Sequence, residues 1–286
     1  MTIATPFPLT LPRKQIAPAI LAGLSFIVAF GEPMATLVRD WWSNPDAGHG
    51  LLLFPVALWL AYKKGLVEAR PQPALGLALL AAAVLMRYAS GLAAELMTMR
   101  GSLVGALLGL LIYWRGIRQV MHWWLPISLF ILSVPLPEVV LGSLALPLQL
   151  KASQWGAALL EMRDVPIRLD GNVIRLPGRS LFVTEACSGL RSLTALLSLG
   201  LLVGGLWLQT WWGRTVLVLA AIPVAMMLNA VRIFLTGFLV YFVDPALAEG
   251  VMHYSEGWVT FVIAFAILGA LTWLLGRVET RIRRPA

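Results

Sequence analysis

Cysteine is all but missing: Cys187 is the only one in 286 residues. One thiol excludes a disulfide within the chain and any metal site assembled from several thiolates. Charge is scarce as well, with 13% charged against 59% hydrophobic residues. That is about half the charged share of an average soluble domain, which excludes that class. Internal repeats and low-complexity tracts are also lacking. The net charge of +8 does not make a nucleic-acid face, because the basic residues are not gathered in one patch. What the chain does have, from end to end, is apolar runs long enough to cross a bilayer. These predict an all-α polytopic membrane protein, a single integral membrane domain over residues 1–286.

Taken in order, the runs predict about eight transmembrane helices. The first covers residues 16–38, with a bend near Pro33. Arg13 and Lys14 ahead of it resemble the start of a signal peptide, but without a convincing small-residue cleavage site the run reads as a retained span. Asn44-Pro45-Asp46 reads as a turn, and the short second span, 51–62, uses His49-Gly50 as its first turn. The third, 74–92, carries Arg87, and Glu95 and Arg100 mark the loop before the fourth, 101–114. The fifth, 124–144, is broken by Pro135 and Pro137. Leu150, Trp155, Ala158 and Leu159 then outline an interfacial helix over 148–162. Residues 165–183 have strand character: Val165, Ile167 and Leu169 alternate, Asp170-Gly171 and Pro177-Gly178 are turn signals, and a small β-ribbon with an open edge is expected. Spans six, seven and eight cover 187–209, 215–243 and 258–276.

An even number of spans puts both termini on one side. In this arrangement 12 of the 22 basic residues but only Glu68 and Glu279 of the 14 acidic ones face that side. Short loops rich in Lys and Arg stay in the cytoplasm. Both termini are therefore read as cytoplasmic, and the ribbon, Cys187, His49 and His253 as extracytoplasmic.

Cys187 sits where a polar segment meets span six, with Thr184 as a candidate N-cap. The positive end of a helix dipole there favours a thiolate, and Arg191 follows one turn later on the same face. Taken alone, a single cysteine is more often a small buried hydrophobe. Arg232 stands within span seven, where charge is costly unless functional or paired. Glu185, Glu256 and Asp244 are its candidate ion-pair partners. Asn229 lies three residues earlier on the same face, and His253 precedes span eight. A nucleophilic thiolate, a titratable imidazole and a fixed cation form a set able to open an acyl bond. Cys187, His253 and His49 lack further matched ligands, so no metal is expected.

The string Glu185-Ala186-Cys187-Ser188-Gly189-Leu190-Arg191-Ser192, then Asn229-Ala230-Val231-Arg232, then His253 with Gly257, resembles the exosortase/archaeosortase family. Gly48-His49-Gly50 with Pro55, Pro135-Leu136-Pro137 and Gly171 to Leu176 extend the resemblance over about residues 46–257. Ala47-Gly48 stands where members often carry Tyr-Ser. The resemblance implies a membrane-embedded cysteine transpeptidase of the bacterial inner membrane that needs no cofactor. Its implied substrates are membrane-anchored proteins with a C-terminal sorting signal: a motif such as Pro-Glu-Pro, a transmembrane helix and a basic tail. A surface lipid or glycan is the implied acceptor. Cys187, Arg232 and His253 match the family's catalytic positions. Arg191, Asn229, Glu185, Ser188, Gly189 and His49 are supporting or substrate-binding candidates.

Two other classes remain open on the residues alone. One is a non-catalytic transporter or polysaccharide-assembly component using Arg87, Arg191 and Arg232 as a polar pathway; the other is a membrane acyltransferase centred on His253. The orientation is directly testable. A membrane-impermeant thiol reagent, applied to cells stripped of their outer barrier, is expected to label Cys187. Labelling from the cytoplasmic face alone reverses the topology.

Overall fold

The computed structural model describes residues 13–44, 46–183, 190–243 and 251–283. Among the described residues, five helices are long and apolar enough to cross a membrane: Ile20–Ser43, Pro73–Leu92, Leu96–Arg115, Trp211–Phe242 and Val259–Ile282. The protein is thus a polytopic helical membrane protein carrying one small sheet. The chain divides into two compact units, Met1–Pro137 and Glu138–Ala286.

The first unit holds α1 (Arg13–Ser43), α2 (Gly50–Lys64), α3 (Pro73–Leu92), α4 (Leu96–Arg115), the short α5 (Ile117–His122) and α6 (Trp124–Ser133). Helix α1 continues through Pro33 without a break. Its Phe30, Leu37 and Trp41 recur at helical spacing and pack with Ala83, Leu103 and Ala106. Without a hydrophobic driving force inside lipid, helices associate best where small residues let backbones meet. The α3–α4 pair does this: a Cβ on Gly76 would lie 2.5 Å from the Tyr113 backbone, and one on Gly109 would lie 2.9 Å from the Leu80 amide.

Polar groups in this unit are paired helix to helix. Arg87 reaches α1, meeting Glu32 at 2.5 Å and the Ala29 carbonyl at 3.2 Å. Arg100, expected in a loop, lies inside α4, because Glu95 caps that helix a turn earlier than the apolar run suggests. It is buried and meets Asp40 at 2.7 Å. The Glu95 carboxylate accepts from the Met97 and Thr98 amides. The Thr98 hydroxyl, first, and then these amides hold its pKa below the ordinary glutamate value. This cap is therefore present at neutral pH and is lost only as the pH falls through that depressed value.

The fifth run ends early, at the expected proline break. Helix α6 ends at Ser133, since Val134 turns extended ahead of Pro135. Its last carbonyls find side chains instead of amides: Trp41 Nε1 donates to Ser133 at 2.6 Å, and the His49 ring meets Leu132 at 3.2 Å.

The second unit holds α7 (Glu138–Glu161), β1 (Arg168–Asp170), β2 (Val173–Leu176), β3 (Arg179–Phe182), α8 (Leu190–Trp207), α9 (Trp211–Phe242) and α10 (Val251–Arg283). The helix expected over 148–162 is the second half of α7, which begins at Glu138 directly after the proline break and runs through Pro147. It packs on α9, with Ala152, Ala157 and Leu160 in a shared core. The ribbon is three-stranded and antiparallel in the order β1-β2-β3, with Ile174 opposite Leu169 and Leu181. Those three side chains and Leu176 turn inward to the same core, as the period of two requires. A second core joins α8, α9 and α10 through Leu196, Leu217, Ala221, Ala225, Ala264 and Leu268.

The α8–α9 loop is held by a buried carboxylate from α10. Glu279, 3% exposed, accepts from the amides of Gln209 and Thr210 and from the Thr210 hydroxyl. Gly213 leaves it room, since a Cβ there would stand 2.2 Å from Glu279 Oε1. Replacing Glu279→Ala strands two amides at the start of α9. The expected loss is about 2–4 kcal/mol, read as a lowered thermal midpoint of the detergent-solubilised chain, with Glu279→Gln recovering part of it.

Candidate functional site

Helix α9 carries two packed seams, and these set where Arg232 lies. Gly213, Leu217, Ala221, Ala225 and Asn229 follow one another at intervals of four and are all buried. The seam's apolar members pack with the α8 and α10 core. The other seam, Ala230, Ile233, Gly237 and Val240, faces α7 and the sheet. Here the helices nearly touch: a Cβ on Gly156 would lie 2.6 Å from Ile233, and one on Gly237 would lie 2.8 Å from Leu160. Arg232 comes three residues after the first seam's last member, Asn229, and just before Ile233 of the second.

Asn229 and Arg232 open onto one small cleft of about 20 Å³, lined also by Ser192 and Leu196 of α8, Ala225 and Leu228 of α9, and Thr260, Phe261 and Ala264 of α10. Such a volume admits roughly one water-sized atom group. Asn229 is buried and Arg232 half-buried. The Arg232 carbonyl accepts from the Thr236 hydroxyl at 3.0 Å. Four polar residues, one a permanent cation with up to five N–H donors, thus line a space fit for a single oxygen.

The cleft lies at the end of the three-helix core where α8 and α10 begin. Ser192 is in the first turn of α8, and Thr260 stands on α10 nine residues after its start at Val251. His253 belongs to the first turn of α10 and not to a preceding loop, because this helix starts seven residues before the apolar run does. The residue that sequence reasoning passes over is Thr260. Its signal is a spacing of seven from His253, two helical turns along one face.

Cys187, Glu185, Ser188 and Gly189 lie outside the described residues. Arg191 is the second residue of α8. The described chain approaches the cysteine segment from a fixed point: Val183 is buried, its amide donates to the Asn172 carbonyl at 2.9 Å, and Asn172 Nδ2 donates back at 3.2 Å. His49, in the first unit, precedes α2 directly, and its ring is engaged with the α6 carbonyl. Among the described residues no cluster of three or more His, Cys, Asp or Glu is placed to hold a metal.

A family model described as transmembrane exosortase matches residues 41–270. No curated protein and no solved structure matches the chain.

The α7–α9 contact sets the height and rotation of Arg232, so it can be tested apart from the polar groups. Gly156→Leu forces a side chain into Ile233 and is expected to cost about 1–3 kcal/mol. The readout is the thermal midpoint in detergent; an unchanged midpoint means that the contact does not hold α9.

Proposed function

We propose that this chain, which belongs to the transmembrane exosortase family, is a membrane cysteine peptidase of the transpeptidase type. Its substrates are exported proteins with a C-terminal sorting signal of the Pro-Glu-Pro kind, cleaved at the extracytoplasmic face of the bacterial inner membrane. Cys187 is the nucleophile, Arg232 the oxyanion or thiolate partner, and His253 the proton carrier. The observation that carries this reading is the cleft itself: Arg232, Asn229, Ser192 and Thr260 line an oxygen-sized space at the end where α8 and α10 begin. Cys187 precedes α8 by three residues, and His253 is in the first turn of α10.

The chemistry follows from those roles. The Cys187 thiolate adds to the scissile carbonyl, and the developing oxyanion is met by the Arg232 guanidinium. Collapse breaks the C–N bond as His253 delivers a proton to the departing amine. The substrate is then held as a thioester until an amine or hydroxyl of a surface lipid or glycan displaces the sulfur; water in its place gives hydrolysis. The reaction as written consumes no cofactor. Arg191, one turn beyond Cys187, supports the thiolate or binds substrate, and Asn229 orients Arg232 or donates to the oxyanion. Glu185, Ser188 and Gly189 shape the segment around the sulfur. His49 orders the turn ahead of α2.

The membrane arrangement belongs to the same proposal. Helices α2, α6 and α8 supply three crossings beyond the five long ones, which gives eight spans and cytoplasmic termini. The ribbon lies on the outer side, and the two units work as one integral membrane domain.

The test is capture of the acyl-enzyme. Purified protein mixed with a sorting-signal substrate and quenched in acid is expected to show a hydroxylamine-sensitive adduct on the Cys187 peptide by mass spectrometry. Cys187→Ala abolishes adduct and processing, and Arg232→Ala lowers processing by about 10²–10³-fold. Normal processing by the Cys187→Ala variant refutes the mechanism.

A further inference from the structure

A cavity in the first unit differs in kind from the polar cleft. It is a groove of about 360 Å³ between α2, α4 and α6, lined by apolar side chains including Ala57, Ala61, Leu107, Leu111, Trp114 and Trp123. Leu107 and Trp114 are exposed, so the groove opens outward from the helices.

Length and volume limit what fits. Along α4 the lining runs from Val104 to Trp114, about 15 Å at the helical rise, or half of a hydrocarbon core about 30 Å thick. A single extended acyl chain within one leaflet has the matching shape.

The end of the groove names the headgroup. Lys64 follows Ala61 by three residues and Arg115 follows Leu111 by four, so each stands one turn beyond a lining residue on the same helix face. Lys64 is fixed there: its Nζ donates to the His122 carbonyl at 3.2 Å and sits 5.6 Å from the Trp124 ring. Trp123 is fixed beside it, donating from Nε1 to the Gly65 carbonyl at 2.9 Å. Lys63, Arg70 and Arg118 add positive charge to this end. Between residues 60 and 124 the only carboxylates are Glu68 and, at the opposite end of α4, Glu95. A membrane helix followed by a basic tail would be repelled here, whereas an anionic headgroup is attracted.

We infer that the α2–α4–α6 groove binds one acyl chain of an anionic glycerophospholipid, whose phosphate lies against Lys64 and Arg115. This site belongs to the first unit and is independent of the reaction proposed for Cys187.

The full-length protein in nanodiscs, given a phosphatidylglycerol whose acyl chain carries a diazirine, provides the test. Crosslinks mapped by peptide mass spectrometry are expected to concentrate in residues 54–61, 104–114 and 123–130. A tenfold excess of plain phosphatidylglycerol should displace them and the same excess of phosphatidylcholine should not. The Lys64→Gln/Arg115→Gln double variant is expected to lose that preference at least tenfold while keeping its thermal midpoint in phosphatidylcholine. Crosslinks spread evenly over the lipid-exposed helices, equal displacement by the two lipids, or crosslinks to a second copy in place of lipid at these residues each overturn the inference. The wild-type mapping stands on its own if the double variant does not fold.

Discussion

Inside hydrocarbon no water is at hand, so every polar group of the chain must find its partner within the protein. Much of this structure follows from that requirement. Helix α6 stops at Ser133, and its exposed carbonyls are met by Trp41 and by the His49 ring. Glu279 answers the amides that open α9. Arg87 and Arg100 are paired to carboxylates of α1. None of these partners is local in sequence, and each ties one helix to another where dispersion forces alone would leave them free to slide.

Small residues supply the complementary constraint. Gly76 and Gly109 bring α3 against α4, and Gly156 and Gly237 bring α7 against α9. Close approach of backbones makes the position of a side chain on α9 a matter of fractions of an ångström. That precision lets a cation as large as Arg232 share an oxygen-sized cleft with Asn229, Ser192 and Thr260. The sheet contributes by burying Ile174, Leu176 and Val183 against the same two helices, so the chain reaches the cysteine segment from an anchored point. In the mechanism proposed above, that anchoring and the α9 packing are what keep the cation near the reacting carbonyl.

Reading from sequence succeeded where the signal was local. The ribbon's two turns were legible because Asp170-Gly171 and Pro177-Gly178 need backbone shapes that few residues adopt, and Gly171 and Gly178 have φ of 63° and 76°. The break at Pro135 was legible for a similar reason. The starts of α4 and α10 were not. Helix α4 begins five residues ahead of its apolar run, and α10 seven ahead of its own, because caps and polar first turns carry no hydropathy. The helix read over 148–162 is longer than its signal, running from Glu138 to Glu161, and Leu150, Trp155, Ala158 and Leu159 show a helical period without saying what packs on it. The cover is α9.

By itself, the sequence determined the class of protein, the order of its helices, the ribbon, and the residue types able to open an acyl bond, since each rests on composition or on neighbours within a few positions. Only the tertiary structure decided that Thr260 and Ser192 join Asn229 and Arg232, that His49 caps a helix end, and that Arg87 and Arg100 pair with carboxylates of α1. Those are contacts between residues many positions apart, set by which small side chains allow two backbones to meet. That depends on the packed shape of both helices at once and leaves no mark on either taken alone.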